Sequence, residues 1–459
     1  MSSLNVLLIS TYELGRQPFG LASPAAWLRD AGASVACLDL SQQPLDEDAV
    51  RRAALIAFYL PMHTATRLAS RVIRRVRALN PAAHLCAYGL YAPLNSEYLR
   101  GLGVRSIIGG EFEQALADLY MRLAQNGSEA VLAQPSILLP RLEFRVPDRS
   151  GLPPLRKYAG LMLPNGERRI VGYTEATRGC KHLCRHCPIV PVYEGKFRVV
   201  QREIVLEDIR RQVAAGARHI TFGDPDFFNG VTHALELVRA LHREHPGVSY
   251  DVTVKVEHLL QHERYLPVLR DTGCAFVTTA VESIDDRVLR ILGKGHTRAD
   301  FRRVAGLFRE IGLVLAPTFI PFTPWTTLEG YTELLNEIED LGLVENVAPV
   351  QLTIRLLITA RSRLLELEQV RSLIREFDEA ALSYGWRHSD ARVDQLQREL
   401  ETTVQEMTAN GFDRGSVFDQ VRRMLEHTMG SPERDVPLPP APDVPARATI
   451  PYLTEPWYC

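Results

Sequence analysis

Short apolar runs alternate with amphipathic stretches from residue 4 to about residue 123. Residues 5–10, 35–40, 54–60, 84–88 and 104–108 read as strands, with helical segments such as 24–31 and 64–79 between them. That order predicts a doubly wound, Rossmann-like parallel α/β domain over residues 1–125. The pattern breaks over 126–169, where Pro135, Pro140, Pro147, Pro153, Pro154 and Pro164 predict a linker with a small hairpin at Asn165-Gly166. A second series opens at residue 170, with strands predicted at 171–176, 220–222, 249–255, 276–281, 314–320 and 351–357. Helical patterns lie between them, so residues 170–364 are predicted to form a partial (β/α)6 barrel, a fold that carries its chemistry at the carboxyl ends of its strands. Helices predicted at 369–384, 393–410 and 415–427 make 365–430 a helical C-terminal region, and 431–459 is a Pro-rich tail.

A chain of 459 residues exceeds what one hydrophobic core fills, in keeping with this division. The formal net charge of -2 offers no field for nucleic acid or an anionic membrane, so neither is expected as a partner. The N-terminus shows no signal segment, and seven cysteines without one point to a reducing, cytoplasmic setting. Cys37, Cys86 and Cys274 sit in apolar strand patterns that suit buried packing.

The other cysteines change the picture. Cys180, Cys184 and Cys187 stand in the spacing C-x3-C-x2-C directly after the first predicted barrel strand. Three close thiolates suit an iron-sulfur cluster with one iron left open; structural zinc is the rival, with His182 or His186 as fourth ligand. Gly223-Asp224-Pro225-Asp226 follows the second strand and offers carboxylates to an ammonium, or forms an Asp-Pro turn. Lys255 and Glu257 follow the third strand, Glu282 the fourth, and the basic turn Gly293 to Arg298 comes next. Each is either a cofactor contact or a solvated rim charge. Arg355 and Arg361 suit anion binding or internal ion pairs.

The stretch Thr177 to Pro188 resembles the signature of radical S-adenosylmethionine (SAM) enzymes. The resemblance implies a [4Fe-4S] cluster on the three cysteines, with SAM chelating the open iron and being cleaved reductively to a 5′-deoxyadenosyl radical. His186 stands where the family usually has an aromatic residue. The resemblance further implies that Gly223, Asp224 and Asp226 meet the SAM amino group. By strand-end chemistry Lys255 suits the SAM carboxylate and Glu257 and Glu282 its ribose hydroxyls, and the flat imidazole of His186 suits a place beside the cluster or adenine. Gly293 to Arg298 resembles a loop common in the cobalamin-associated branch, with Arg298 as its candidate cofactor contact.

A doubly wound domain ahead of such a barrel looks like the cobalamin-binding module of class B members. The loop after its first strand, Ser10-Thr11-Tyr12-Glu13-Leu14-Gly15, lacks the D-x-H-x-x-G motif that supplies a histidine to cobalt. Tyr88 to Tyr91 and Gly109 to Glu111 are loops where a nucleotide tail could lie. The tail Glu455-Pro456-Trp457-Tyr458-Cys459 resembles that of the CUAEP/CCAEP-tail radical SAM family. On that reading Cys459 is a redox candidate that would precede a UGA-encoded selenocysteine.

The expected function is radical modification of an unidentified substrate, with cobalamin as the methyl carrier in one version and rearrangement or dehydrogenation without it in another. Methylthio transfer is disfavoured, since no second cysteine triplet is present for an auxiliary cluster. An external electron donor such as flavodoxin or ferredoxin is the expected partner. A zinc-stabilised binding module is the alternative of another class.

Overall fold

A computed structural model describes residues 4–126, 136–430, 439 and 449–455. Strands β1 (Asn5–Ser10), β2 (Ser34–Asp39), β3 (Leu55–Tyr59), β4 (His84–Tyr88), β5 (Ser106–Gly110) and β6 (Ser136–Leu138) form one parallel sheet in the order β2-β1-β3-β4-β5-β6. Its central strands are apolar on both faces because helices cover both. β6 lies in the segment expected to be a linker; only three residues long, it carries too little pattern to be read as a strand.

The second sheet has the order β14-β13-β12-β11-β8-β7-β17. β8 (Arg168–Thr174), β11 (His219–Phe222), β12 (Ser249–Thr253), β13 (Cys274–Glu282) and β14 (Leu315–Phe319) are parallel. β7 (Gly160–Met162) joins β8 as the small hairpin expected at Asn165-Gly166, with Gly166 at φ 82°. The strand expected at 351–357 is replaced by a 3-10 turn, Pro349–Leu352, after which Arg355 makes a single parallel bridge to Phe322.

Between these sheets, β9 (Thr177–Gly179) pairs with β10 (Phe197–Val199) and brackets the cysteine loop. The helix expected over 369–384 is instead a hairpin of β15 (Ile374–Asp378) and β16 (Ser383–Trp386). Asp378 accepts the Ala380 and Ala381 amides, Leu382 turns at φ 52°, and the Tyr384 amide donates to Ile358; local turn chemistry and pairing override helix propensity there. The two following helices form as expected, Ala391–Ala409 and Arg414–Thr428, and close the barrel core. β17 (Tyr452–Leu453) returns to pair antiparallel with β7. Among the described residues no helix is long and apolar enough to cross a membrane.

Candidate functional site

The carboxyl ends of both sheets face one cavity of about 500 Å³. The first sheet contributes Glu13, Arg16, Tyr59, Met62, Tyr91 and Phe112; the barrel contributes the three cysteines and the ends of β8 and β11–β14. Residues 450–453 and Glu455 line it as well. Tyr12 donates to Glu455 at 2.5 Å, and the Thr454 amide donates to Gly160, so this short segment straps the two halves together.

The cysteine loop starts at Gly179, whose φ is 76° and whose missing Cβ would fall 2.4 Å from the Tyr193 ring and 2.5 Å from the Lys196 carbonyl. Only glycine fits there. Asp224, expected to face SAM, accepts the Ala176 amide at 2.9 Å and the Thr177 hydroxyl at 2.5 Å, which fixes the chain just ahead of Cys180. Burial pushes its carboxyl up to about 7, against the pull of the Thr177 hydrogen bond. The close approach that Gly223 permits is made by Tyr173, whose hydroxyl would lie 1.8 Å from a Cβ at that position.

Asp226 caps the turn Phe227–Gly230 by accepting the Phe228 amide and meets His258 at 2.7 Å and His182 at 3.4 Å. Burial opposes its ionisation, but those two imidazoles outweigh it and hold the carboxyl below its usual range. Lys255 is buried on the cavity wall and pairs at 3.2 Å with Glu257, whose exposed side chain, expected at the SAM ribose, is not part of the cavity lining. Arg298 is a correction to the expected site: it lies off the cavity, and its guanidinium grips Glu337 and Glu333 on the neighbouring helix.

Glu282 lies where the register of β13 against β14 shifts and has φ 68°, a left-handed conformation costly for a side-chain-bearing residue. It meets His186 at 3.2 Å and Lys294 at 3.3 Å. Burial alone would raise its carboxyl, yet Lys294 and His186 hold it at about 2. Lys294 lies in the basic turn singled out from the sequence, where only Arg298 was given a role, since a lysine in a glycine-flanked turn reads as exposed; here it is 3% exposed beside Glu282, with Cys184 and Cys187 among its electrostatic neighbours. Arg178 was given no role at the sequence level. This buried guanidinium binds Glu113 at 2.7 Å, Glu175 at 2.6 Å and Glu111 at 3.2 Å, tying the cysteine loop to the first domain. Arg355 pairs with Asp394 at 2.7 Å and stacks on Trp386.

The donor set fits a cluster. Cys180, Cys184 and Cys187 are free thiols around one wall of the cavity. Burial pushes Cys180 up to about 11 and Cys187 higher still, so bound metal, which ionises a coordinating thiol, is what this pocket would need to hold thiolates. Among the described residues the donor group whose atoms gather within 4.8 Å is Cys180, His182 and Asp226; the three cysteines do not close around a single point, which suits a multi-iron cluster better than one tetrahedral ion. Cys37, Cys86 and Cys274 are buried in packing, as expected, and Cys459 lies outside the described residues.

Residues 174–338 match the model of the radical SAM superfamily, so the chain carries a radical SAM domain. Its relatives sharpen the picture. It is 28% identical over 149 residues to a hopanoid C-3 methylase of Methylococcus capsulatus, covering 31% of this chain and 28% of that one. To a tRNA-2-methylthio-N(6)-dimethylallyladenosine synthase of Chlorobium phaeobacteroides it is 25% identical, covering 40% and 42%. The chain thus spans less than half the length of these relatives. In fold it is similar to OxsB, a cobalamin-dependent SAM radical enzyme solved with aqua-cobalamin and SAM, at TM-score 0.71 and 12% identity over 93% of this chain and 72% of that one. It is also similar to the methyltransferase TsrM of Kitasatospora setae, at TM-score 0.59 and 17% identity over 74% of each chain.

Proposed function

We propose that this protein is a radical SAM enzyme that holds a [4Fe-4S] cluster on Cys180, Cys184 and Cys187, binds SAM beside it, binds cobalamin against the carboxyl ends of the first sheet, and methylates its substrate. The observation that carries the reading is the shared cavity: the cysteine loop and the carboxyl ends of the doubly wound sheet's strands line the same space. When bound, the cluster and SAM supply a 5′-deoxyadenosyl radical and cobalamin supplies the methyl group. The chain's own residues do the positioning. Lys255 presents an ammonium to a ligand carboxylate, Glu282 and His186 offer polar contacts between strand end and cysteine loop, and Lys294 places a buried positive charge near the ligand sulfurs. Asp224 and Gly223 fix the strand end from which the cysteines project.

The hopanoid methylase and TsrM support the methyl-transfer part of the reading, and OxsB and TsrM the cobalamin part. An external electron carrier such as flavodoxin or ferredoxin completes the proposal, with the cytoplasm as the setting. We further propose membership of the CUAEP/CCAEP-tail family, supported by Glu455 to Cys459 and tested by reading the gene past the Cys459 codon.

The function is tested by anaerobic reconstitution with iron and sulfide. We expect about four irons per chain and reductive release of 5′-deoxyadenosine from SAM, both lost in a Cys180→Ala, Cys184→Ala, Cys187→Ala variant. A colourless protein with one zinc per chain and no SAM cleavage would favour the zinc reading, which the Cys180, His182 and Asp226 group keeps specific. Cleavage without corrinoid uptake would favour radical chemistry without methylation.

A further inference from the structure

The loop after β1 leaves polar atoms unsatisfied. Ser10 Oγ, Glu13 Oε2 and Arg16 Nε are each buried with no hydrogen-bond partner among the described residues. Buried polar atoms are nearly always paired, so three orphans within seven residues, one at the end of β1 and two in the loop after it, call for an explanation. Glu13 is 7% exposed, and both Glu13 and Arg16 line the cavity on the first sheet's side. They sit across a single turn, closed by the Arg16 amide donating to the Glu13 carbonyl at 2.9 Å, yet no ion pair joins their side chains among the described residues. The Arg16 guanidinium lies 4.9 Å over the Tyr173 ring, a contact that satisfies none of its N–H groups.

The backbone holds this arrangement deliberately. Leu14 and Gly15 adopt left-handed φ values of 50° and 63°, and a Cβ at Gly15 would meet Glu455 at 2.7 Å. A side-chain-bearing residue in that region carries strain that clusters at ligand sites. Tyr12, in the same loop, is committed to Glu455.

A ligand that answers both orphans must accept a hydrogen bond from Arg16 and offer one to Glu13, or share one with it. A primary carboxamide does both with a single planar group. The rim of a corrin ring carries carboxamide side chains, and open α/β sheets bind ligands at this edge. We infer that Glu13 and Arg16 clasp a peripheral carboxamide of cobalamin, holding the corrin by its rim. This rests on the cobalamin part of the proposed function.

The test uses the full chain with its cluster reconstituted and hydroxocobalamin as probe, read by visible absorbance after gel filtration and by titration calorimetry. Arg16→Leu and Glu13→Leu are each expected to weaken binding at least tenfold. Glu13→Gln, which keeps a donor and an acceptor, should stay within about threefold of wild type. Arg16→Lys should fall between, because an ammonium keeps the charge but loses the fork. Iron content and SAM cleavage equal to wild type show that each variant is folded; if Arg16→Leu fails that check, Arg16→Lys and Glu13→Leu decide. Wild-type affinity in Glu13→Leu and in the folded arginine variants overturns the inference alone. A wild-type protein that cleaves SAM but takes up no hydroxocobalamin overturns both this inference and the cobalamin reading, while leaving the radical SAM reading intact.

Discussion

Gly179 shows how one residue sets the geometry of the cysteine loop. Its positive φ and its contacts with Tyr193 and Lys196 leave no room for a methyl group. Gly179→Ala combines left-handed strain, roughly 1–3 kcal/mol, with a clash against backbone. Gly216 has φ 102° but only Ile170 at 3.7 Å, so Gly216→Ala supplies the strain without the clash. We expect reconstituted Gly179→Ala to hold less than half the wild-type iron and Gly216→Ala to match wild type, measured as iron and sulfide per chain. Lys294 and Glu282 follow the same logic of position over identity: their charges are ordinary, and their burial beside each other makes them part of the site.

At the scale of elements, the helix Arg298–Ile311 illustrates how a residue expected at the site can belong to the scaffold. It opens with a reciprocal capping box between Thr297 and Asp300, and Arg298 and Arg302 converge on the buried Glu337 of the next barrel helix. Arg302 remains to pair Glu337 when Arg298 is removed, so Arg298→Gln is expected to cost only about 1 kcal/mol, as for an ordinary charged hydrogen bond. SAM affinity should be unchanged. Denaturant unfolding and a SAM-binding titration check the two halves; a loss of SAM affinity would return Arg298 to the site. The 374–386 hairpin teaches a related point, since its residues carry a helix-compatible pattern and become strands through Asp378 turn bonds and the Tyr384 bond to Ile358.

The whole molecule is held around its cavity by Arg178, which joins Glu111 and Glu113 of the first domain to Glu175 of the barrel. Arg178→Met would strand three buried carboxylates, and breaking a buried network of this kind costs about 3–5 kcal/mol. We expect a matching drop in unfolding free energy. Burial pushes Glu111 up to about 7 despite Arg178, so the folded chain binds a proton that the unfolded chain, with its carboxyl near about 4.5, releases sooner. Stability from this group is therefore present at low pH and declines as pH rises from about 4.5 to about 7. Asp224 acts with the same sign, so the informative quantity is the difference between wild type and Glu111→Gln, whose unfolding free energy should fall less steeply across that window.

The sequence by itself determined β1 to β5 of the first sheet and the parallel strands β8 and β11 to β14 of the second, because buried parallel strands need continuous apolar runs and their covering helices need one apolar stripe. It also determined the three cysteines, since C-x3-C-x2-C places thiols within one loop whatever the rest of the chain does. Only the tertiary structure decided which charges face the cavity. Arg298 turned to Glu337, Asp224 turned back to Thr177, Lys294 went inward to Glu282, and Glu13 Oε2 and Arg16 Nε were left without hydrogen-bond partners. Local pattern specifies whether a residue is polar; whether that polarity is spent on the scaffold or left for a ligand depends on partners 12 to 443 residues away, which no local spacing encodes.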